Sequence, residues 1–82
     1  MHVIEVFGTG CPKCKATLRN AERAVTELGV AARVVKVEDL AQMIERGVMM
    51  TPALAIDGQI VVSGHIASVT EIKKHLEAKE RS

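Results

Sequence analysis

Aromatic side chains are almost missing from this sequence: Phe7 stands alone, without a tryptophan or a tyrosine. Basic blocks are missing too, since 11 basic residues are spread among 10 acidic ones for a formal charge of +1. A chain without stacking residues or a cationic face has neither of the usual means of holding a polynucleotide, so nucleic-acid binding is not indicated. No apolar run approaches the roughly 20 residues that cross a bilayer, and Met1-His2-Val3-Ile4-Glu5 lacks the basic start of an export signal. The expectation is a cytoplasmic protein without a membrane partner. Cysteine is scarce as well. Two thiols in a reducing compartment are more often catalytic or metal-binding than a structural staple.

What remains is an aliphatic chain of 82 residues, 48% hydrophobic, expected to form one domain over residues 1–82. That length is near the lower limit for a self-sufficient core and buries only roughly 60–65% of the unfolded surface.

Val3, Ile4, Val6 and Phe7 read as a strand interrupted by Glu5, ended by Gly8-Thr9-Gly10. From Pro12, apolar residues recur at Cys14, Leu18, Ala21, Val25 and Leu28, the spacing of one helix face. Pro12 suits the first helical position, Cys11 the cap and Gly29 the stop. Ala32 to Val37 reads as a second, parallel strand reached by a crossover. Asp39 and Gln42 form a capping-box pattern for a short helix through Leu40, Met43 and Ile44 to Gly47. Ala53–Ile56, Asp57-Gly58 and Gln59–Val62 form a hairpin with a favoured turn pair. Ser68 and Glu71 open a closing helix lined by Val69, Ile72 and Leu76, and the charged tail from Ala78 to Ser82 is expected to fray. The order is β-α-β-α-β-β-α: an α/β fold with a parallel pair, an antiparallel hairpin and helices on both faces.

Both cysteines fall in Cys11-Pro12-Lys13-Cys14, between the first strand and the first helix. A bridge across so small a loop gives only about 2 kcal/mol on the chain-entropy model and would be somewhat strained, which favours turnover over bracing. The thiolate is the reactive species. Cys11, at the helix mouth beside unpaired N–H groups and Lys13, is expected to have a lowered pKa. Cys14, one turn further in on the apolar face, is expected to be shielded and less acidic. That asymmetry suits attack by Cys11 and resolution by Cys14.

Gly8-Thr9-Gly10-Cys11-Pro12-Lys13-Cys14 after a first strand, with Thr51-Pro52 before a hairpin, resembles the small redox-active disulfide proteins of the thioredoxin superfamily over nearly the whole chain. The resemblance implies a thioredoxin fold with a four-stranded mixed sheet. It also implies a thiol–disulfide oxidoreductase whose only redox group is the Cys11–Cys14 disulfide, acting on protein disulfides. It implies that Pro52 is cis and packs on the cysteine pair, so that the Thr51 backbone meets an extended substrate, with Gly64 bordering the same groove. Gly10 stands where thioredoxins carry tryptophan; with Lys13 and His65 it completes the expected substrate-binding set. Glu5, six residues before Cys11, stands where thioredoxins bury a carboxylate. Either it is partly buried, with a raised pKa, and relays a proton to or from Cys14, or its longer side chain reaches water or pairs with a lysine. Ser63-Gly64-His65 lacks the acidic pair that holds glutathione in glutaredoxins, so glutathione is a doubtful partner. A thioredoxin-reductase-like donor is expected in its place.

Three other readings use the same thiols. A soft-metal carrier would bind Cu(I) or Zn through both thiolates, with Met43, Met49 and Met50 as extra soft donors. Methionine packing explains those three as well, and such carriers end in a strand rather than a helix. A structural zinc site would need His65 and His75, which are ten apart and outside the usual spacing. A redox-gated partner-binding module would exploit Lys13, Lys15 and Arg19 around the thiols, which suit acidic partners and equally a solvated helix face.

Overall fold

Alternation along the first strand divides the core in two. The computed structural model describes residues 1–81, as β1 (His2–Phe7), α1 (Pro12–Leu28), β2 (Ala32–Val37), α2 (Leu40–Glu45), β3 (Ala53–Ile56), β4 (Gln59–Ser63) and α3 (Val69–Arg81). The sheet order is β2-β1-β3-β4. β1 pairs with β2 in parallel, His2 opposite Ala32 through Phe7 opposite Val37. β3 runs antiparallel to both β1 and β4. Ile4, Val6, Leu54, Ile56 and Val62 pack under α1 and α3 through Ala21, Ala24, Ile72 and Leu76. Phe7, Val37, Ala53 and Ala55 face the other way, against Met43 of α2. Helices cover both faces of a mixed sheet, the α/β architecture expected.

Local chemistry explains most element ends. Cys11 is the N-cap of α1, Pro12 opens the helix, and Gly29 closes it at φ 66°, donating its N–H to Val25 O. Asp57 and Gly58 both have positive φ, 51° and 86°, which a two-residue hairpin turn needs to match the strand twist. Ser68 and Glu71 form the full capping box: Glu71 N–H donates to Ser68 Oγ at 3.1 Å, and Ser68 N–H to Glu71 Oε1 at 3.4 Å. At α2 only half of the expected box is present. Asp39 Oδ1 accepts from Ala41 N–H at 2.9 Å, and among the described residues no Gln42 side-chain bond answers it.

Three expectations change. The innermost residues of α1 are Cys14, Thr17, Ala21 and Ala24, while Leu18, Val25 and Leu28 flank them half-buried. Small residues let the helix approach the sheet, and the Thr17 hydroxyl is satisfied by Lys13 O at 3.0 Å. β4 bulges between the partners of Leu54 and Ala55, so Val61 and Val62 both reach the α1–α3 core. The charged tail does not fray from Ala78, because α3 continues to Arg81; Ser82 lies outside the described residues. Lys79 Nζ donates to Gln59 Oε1 at 2.9 Å. His2 stands between Asp57 Oδ2 (Nδ1, 2.6 Å) and Glu80 Oε1 (Nε2, 2.9 Å). These bonds tie the last turn to the sheet.

Candidate active site

At the end of β1, Gly8 N–H still donates to Val37 O at 3.1 Å before the chain turns through Thr9 and Gly10 into α1. Gly10 takes φ 83°, a conformation that a side chain disfavours. Cys11 has extended backbone angles, and its side chain makes no conventional cap bond. The first-turn N–H groups therefore remain available, and its sulfur sits among them.

The two cysteines are free thiols with Sγ atoms 3.0 Å apart, Cys11 exposed and Cys14 only 5% exposed. The hydrogen bond with the Cys14 side chain is the first cause that lowers the Cys11 pKa, followed by the backbone N–H groups of Cys14 and Lys13. Burial, then the neighbouring Cys11 sulfur, pushes the Cys14 thiol up. The exposed sulfur thus ionises more readily than the buried one beneath it. Gly8 makes the arrangement possible. A Cβ there would stand 2.8 Å from Cys14 Cβ and would overlap Cys14 Sγ. Val6, Gly8, Gly10, Cys14, Lys15 and Lys36 enclose a cavity of about 30 Å³ beside the buried thiol, room for a water molecule.

The Thr51–Pro52 bond is cis. Phe7 pairs with Ala53, so Gly8 and Pro52 continue from paired residues at the same end of the sheet. Pro52 is buried and Thr51 exposed. Gly64 N–H donates to Pro52 O at 3.0 Å, and the Met50 thioether lies over Gly64, its Cε 3.1 Å from where a Cβ would be. Cys11, Cys14, Gly10 and Lys13 thus share the mouth of α1, and Thr51, Pro52 and Gly64 gather beyond the end of the adjacent strand.

Glu5 and His65 are engaged elsewhere. Glu5 shares the parity of Phe7, on the α2 side of the sheet, whereas Cys14 packs from α1 on the opposite side. Arg46 donates to both Glu5 oxygens, at 2.7 and 2.6 Å, and its guanidinium lies 5.5 Å from the centroid of the Phe7 ring. This two-point ion pair satisfies the carboxylate where it lies. His65 Nε2 meets Glu71 Oε2 at 3.1 Å, which ties it to the first turn of α3.

The sequence reading placed Gly8 in the cysteine motif without a packing role, and it missed Arg46 and Lys36. Arg46 is 41 residues from the carboxylate it holds. Of the extra soft donors, Met43 is buried in the core and Met49 is 92% exposed, while Met50 lies over Gly64. Among the described residues no group of three or more His, Cys, Asp or Glu could hold a metal ion, so a closed structural zinc site is not assembled.

A family model described as thioredoxin domain matches residues 2–77. The chain belongs to the thioredoxin family. It is 50% identical over 78 residues to a thioredoxin of Methanocaldococcus jannaschii, covering 95% of this chain and 90% of that protein. It is 42% identical over 76 residues to a thioredoxin of Methanothermobacter thermautotrophicus, covering 93% of this chain and 99% of that one. Thioredoxins are thiol–disulfide oxidoreductases, and two free sulfurs 3.0 Å apart at a helix mouth fit that activity. The thioredoxin fold accounts for the closing helix α3, which the soft-metal carriers lack. Among the described residues no helix is long and apolar enough to cross a membrane.

Proposed function

We propose that this protein reduces protein disulfides, with Cys11 attacking and Cys14 resolving. One observation carries the reading: an exposed and a buried free sulfur lie 3.0 Å apart at the helix mouth. In the first step the Cys11 thiolate attacks one sulfur of a substrate disulfide. A bond forms between Cys11 and that sulfur, the substrate S–S bond breaks, and the released thiolate takes a proton from solvent. Cys14 then gives up its proton and attacks Cys11 Sγ, forming the Cys11–Cys14 disulfide and releasing the second substrate thiol. The substrate gains two electrons and the pair loses two. A thioredoxin-reductase-like donor returns them, and the cysteine pair is itself the redox group.

Thr51, Pro52 and Gly64 form the floor along which an extended substrate segment lies, the exposed Thr51 backbone offering strand-like pairing. Gly10 and Lys13 border it at the helix mouth. Residues 1–82 act as one domain in a reducing cytoplasm, where the dithiol form is maintained. The test is a mixed-disulfide trap. Cys14→Ser mixed with a disulfide-bonded protein accumulates a covalent adduct at residue 11. Adducts formed equally well by Cys11→Ser would defeat the assignment.

A further inference from the structure

The charges of α1 run against its dipole. A helix is stabilised by acidic residues in its first turn and basic residues in its last. α3 obeys, with Glu71 at its start and Lys79 and Arg81 at its end. α1 has no acidic residue in its first turn and no basic residue in its last. Its first half instead carries Lys13, Lys15 and Arg19, all exposed.

Among the described residues none of these three is held in an ion pair, although Glu22 stands three residues from Arg19. Elsewhere Arg23 meets Glu27, Lys36 meets Glu38, Arg46 meets Glu5, and Lys73 meets Glu27. Among the described residues the side chains of Lys13, Lys15 and Arg19 make no hydrogen bond or ion pair. Lys15 and Arg19 are also a like-charge pair at helical spacing, which opposes helix formation. Lys13 sits where the positive helix end disfavours a cation. Local stability therefore gives no reason for the pattern.

Geometry does. Cys11, Lys15 and Arg19 follow one another at four-residue steps along one side of the helix. At the helical rise this makes a line about 12 Å long from the attacking cysteine through Lys15 to Arg19. Its far end lies beyond a Debye length of about 10 Å at 0.1 M salt, so Arg19 acts on a bound partner more than on the thiolate. We infer that Lys15 and Arg19 form a docking rail for acidic proteins, whose carboxylates flank the disulfide within that reach. The inference rests on the disulfide-reductase reading and names its partner class. Charges so placed raise the encounter rate and align the partner.

Two peptide disulfides of equal length test this, one flanked by Glu and Asp and the other by Lys. At about 20 mM salt the wild-type protein reduces the acidic peptide with a kcat/KM about fivefold or more above that of the basic one. At about 500 mM salt the two converge to within about twofold. Lys15→Glu/Arg19→Glu reverses the low-salt preference, and the milder Arg19→Gln narrows it. Equal wild-type rates at low salt overturn the inference while leaving the reductase reading intact, as does a preference that neither variant moves. Failure to reduce either peptide at any salt concentration overturns both.

Discussion

Gly8 lies directly under the side chain of Cys14, so close that any Cβ at residue 8 would overlap the Cys14 sulfur. The buried thiol occupies space that only glycine leaves open, and its 3.0 Å contact with Cys11 depends on that space. Gly8→Ala therefore forces Cys14 or β1 to move. Overpacking of this kind costs about 1–3 kcal/mol. The expected outcome is a lower denaturation midpoint together with a longer-lived mixed disulfide, because the displaced resolving sulfur attacks more slowly. Unchanged lifetime and midpoint would show that residue 8 does not position Cys14.

Glu5 and Arg46 make a separate prediction. Both carboxylate oxygens accept from the guanidinium, which holds the end of α2 against β1 and the Phe7 ring. Arg46→Met should lower the urea midpoint by leaving a half-buried carboxylate unpaired, Glu5 being 18% exposed at its side chain. Glu5→Gln should leave the rate of mixed-disulfide resolution unmoved across pH. A changed pH profile of that step would restore a proton-transfer role to Glu5.

His2 should make stability depend on pH. Its two ring nitrogens face Asp57 and Glu80, whose oxygens only accept, so the imidazolium is the form that satisfies both. The hydrogen bond with Asp57, then that with Glu80, raises the His2 pKa, while His2 and the Val3 N–H lower that of Asp57. The raised histidine contributes fully below its unfolded value of about 6.5 and loses that contribution as pH climbs through the folded value. The lowered aspartate contributes above about 3.9 and loses its contribution as pH falls through its own folded value. His2→Asn should therefore reduce Tm more at pH 6 than at pH 9. An equal reduction at both would remove the charged contact.

Much of the fold was legible because local chemistry specifies it. Pro12 and Gly29 bound α1, Asp57-Gly58 demands a hairpin, and Ser68 with Glu71 opens α3. The cysteine pair and the cis bond before Pro52 followed from residues and resemblance. What was illegible depends on contacts distant in sequence. Arg46 claims Glu5 from 41 residues away. The last turn of α3 is secured by His2 and Gln59, residues of strands at the far side of the chain. Thr17 and Ala24 replace larger residues at the centre of α1 because backbone approach, rather than hydrophobicity, decides which side chain fits there.

The difference between the two sulfurs is read most directly by the pH dependence of alkylation at each cysteine of the reduced protein, resolved by peptide mapping. The hydrogen bond with Cys14 and the N–H groups of the helix mouth favour the Cys11 anion, whereas burial disfavours that of Cys14. Cys11 should react first, with a midpoint below the value of about 8.5 for a free cysteine, and Cys14 only at higher pH. Alkylation that reaches Cys14 first, or both residues with the same midpoint, would contradict the account.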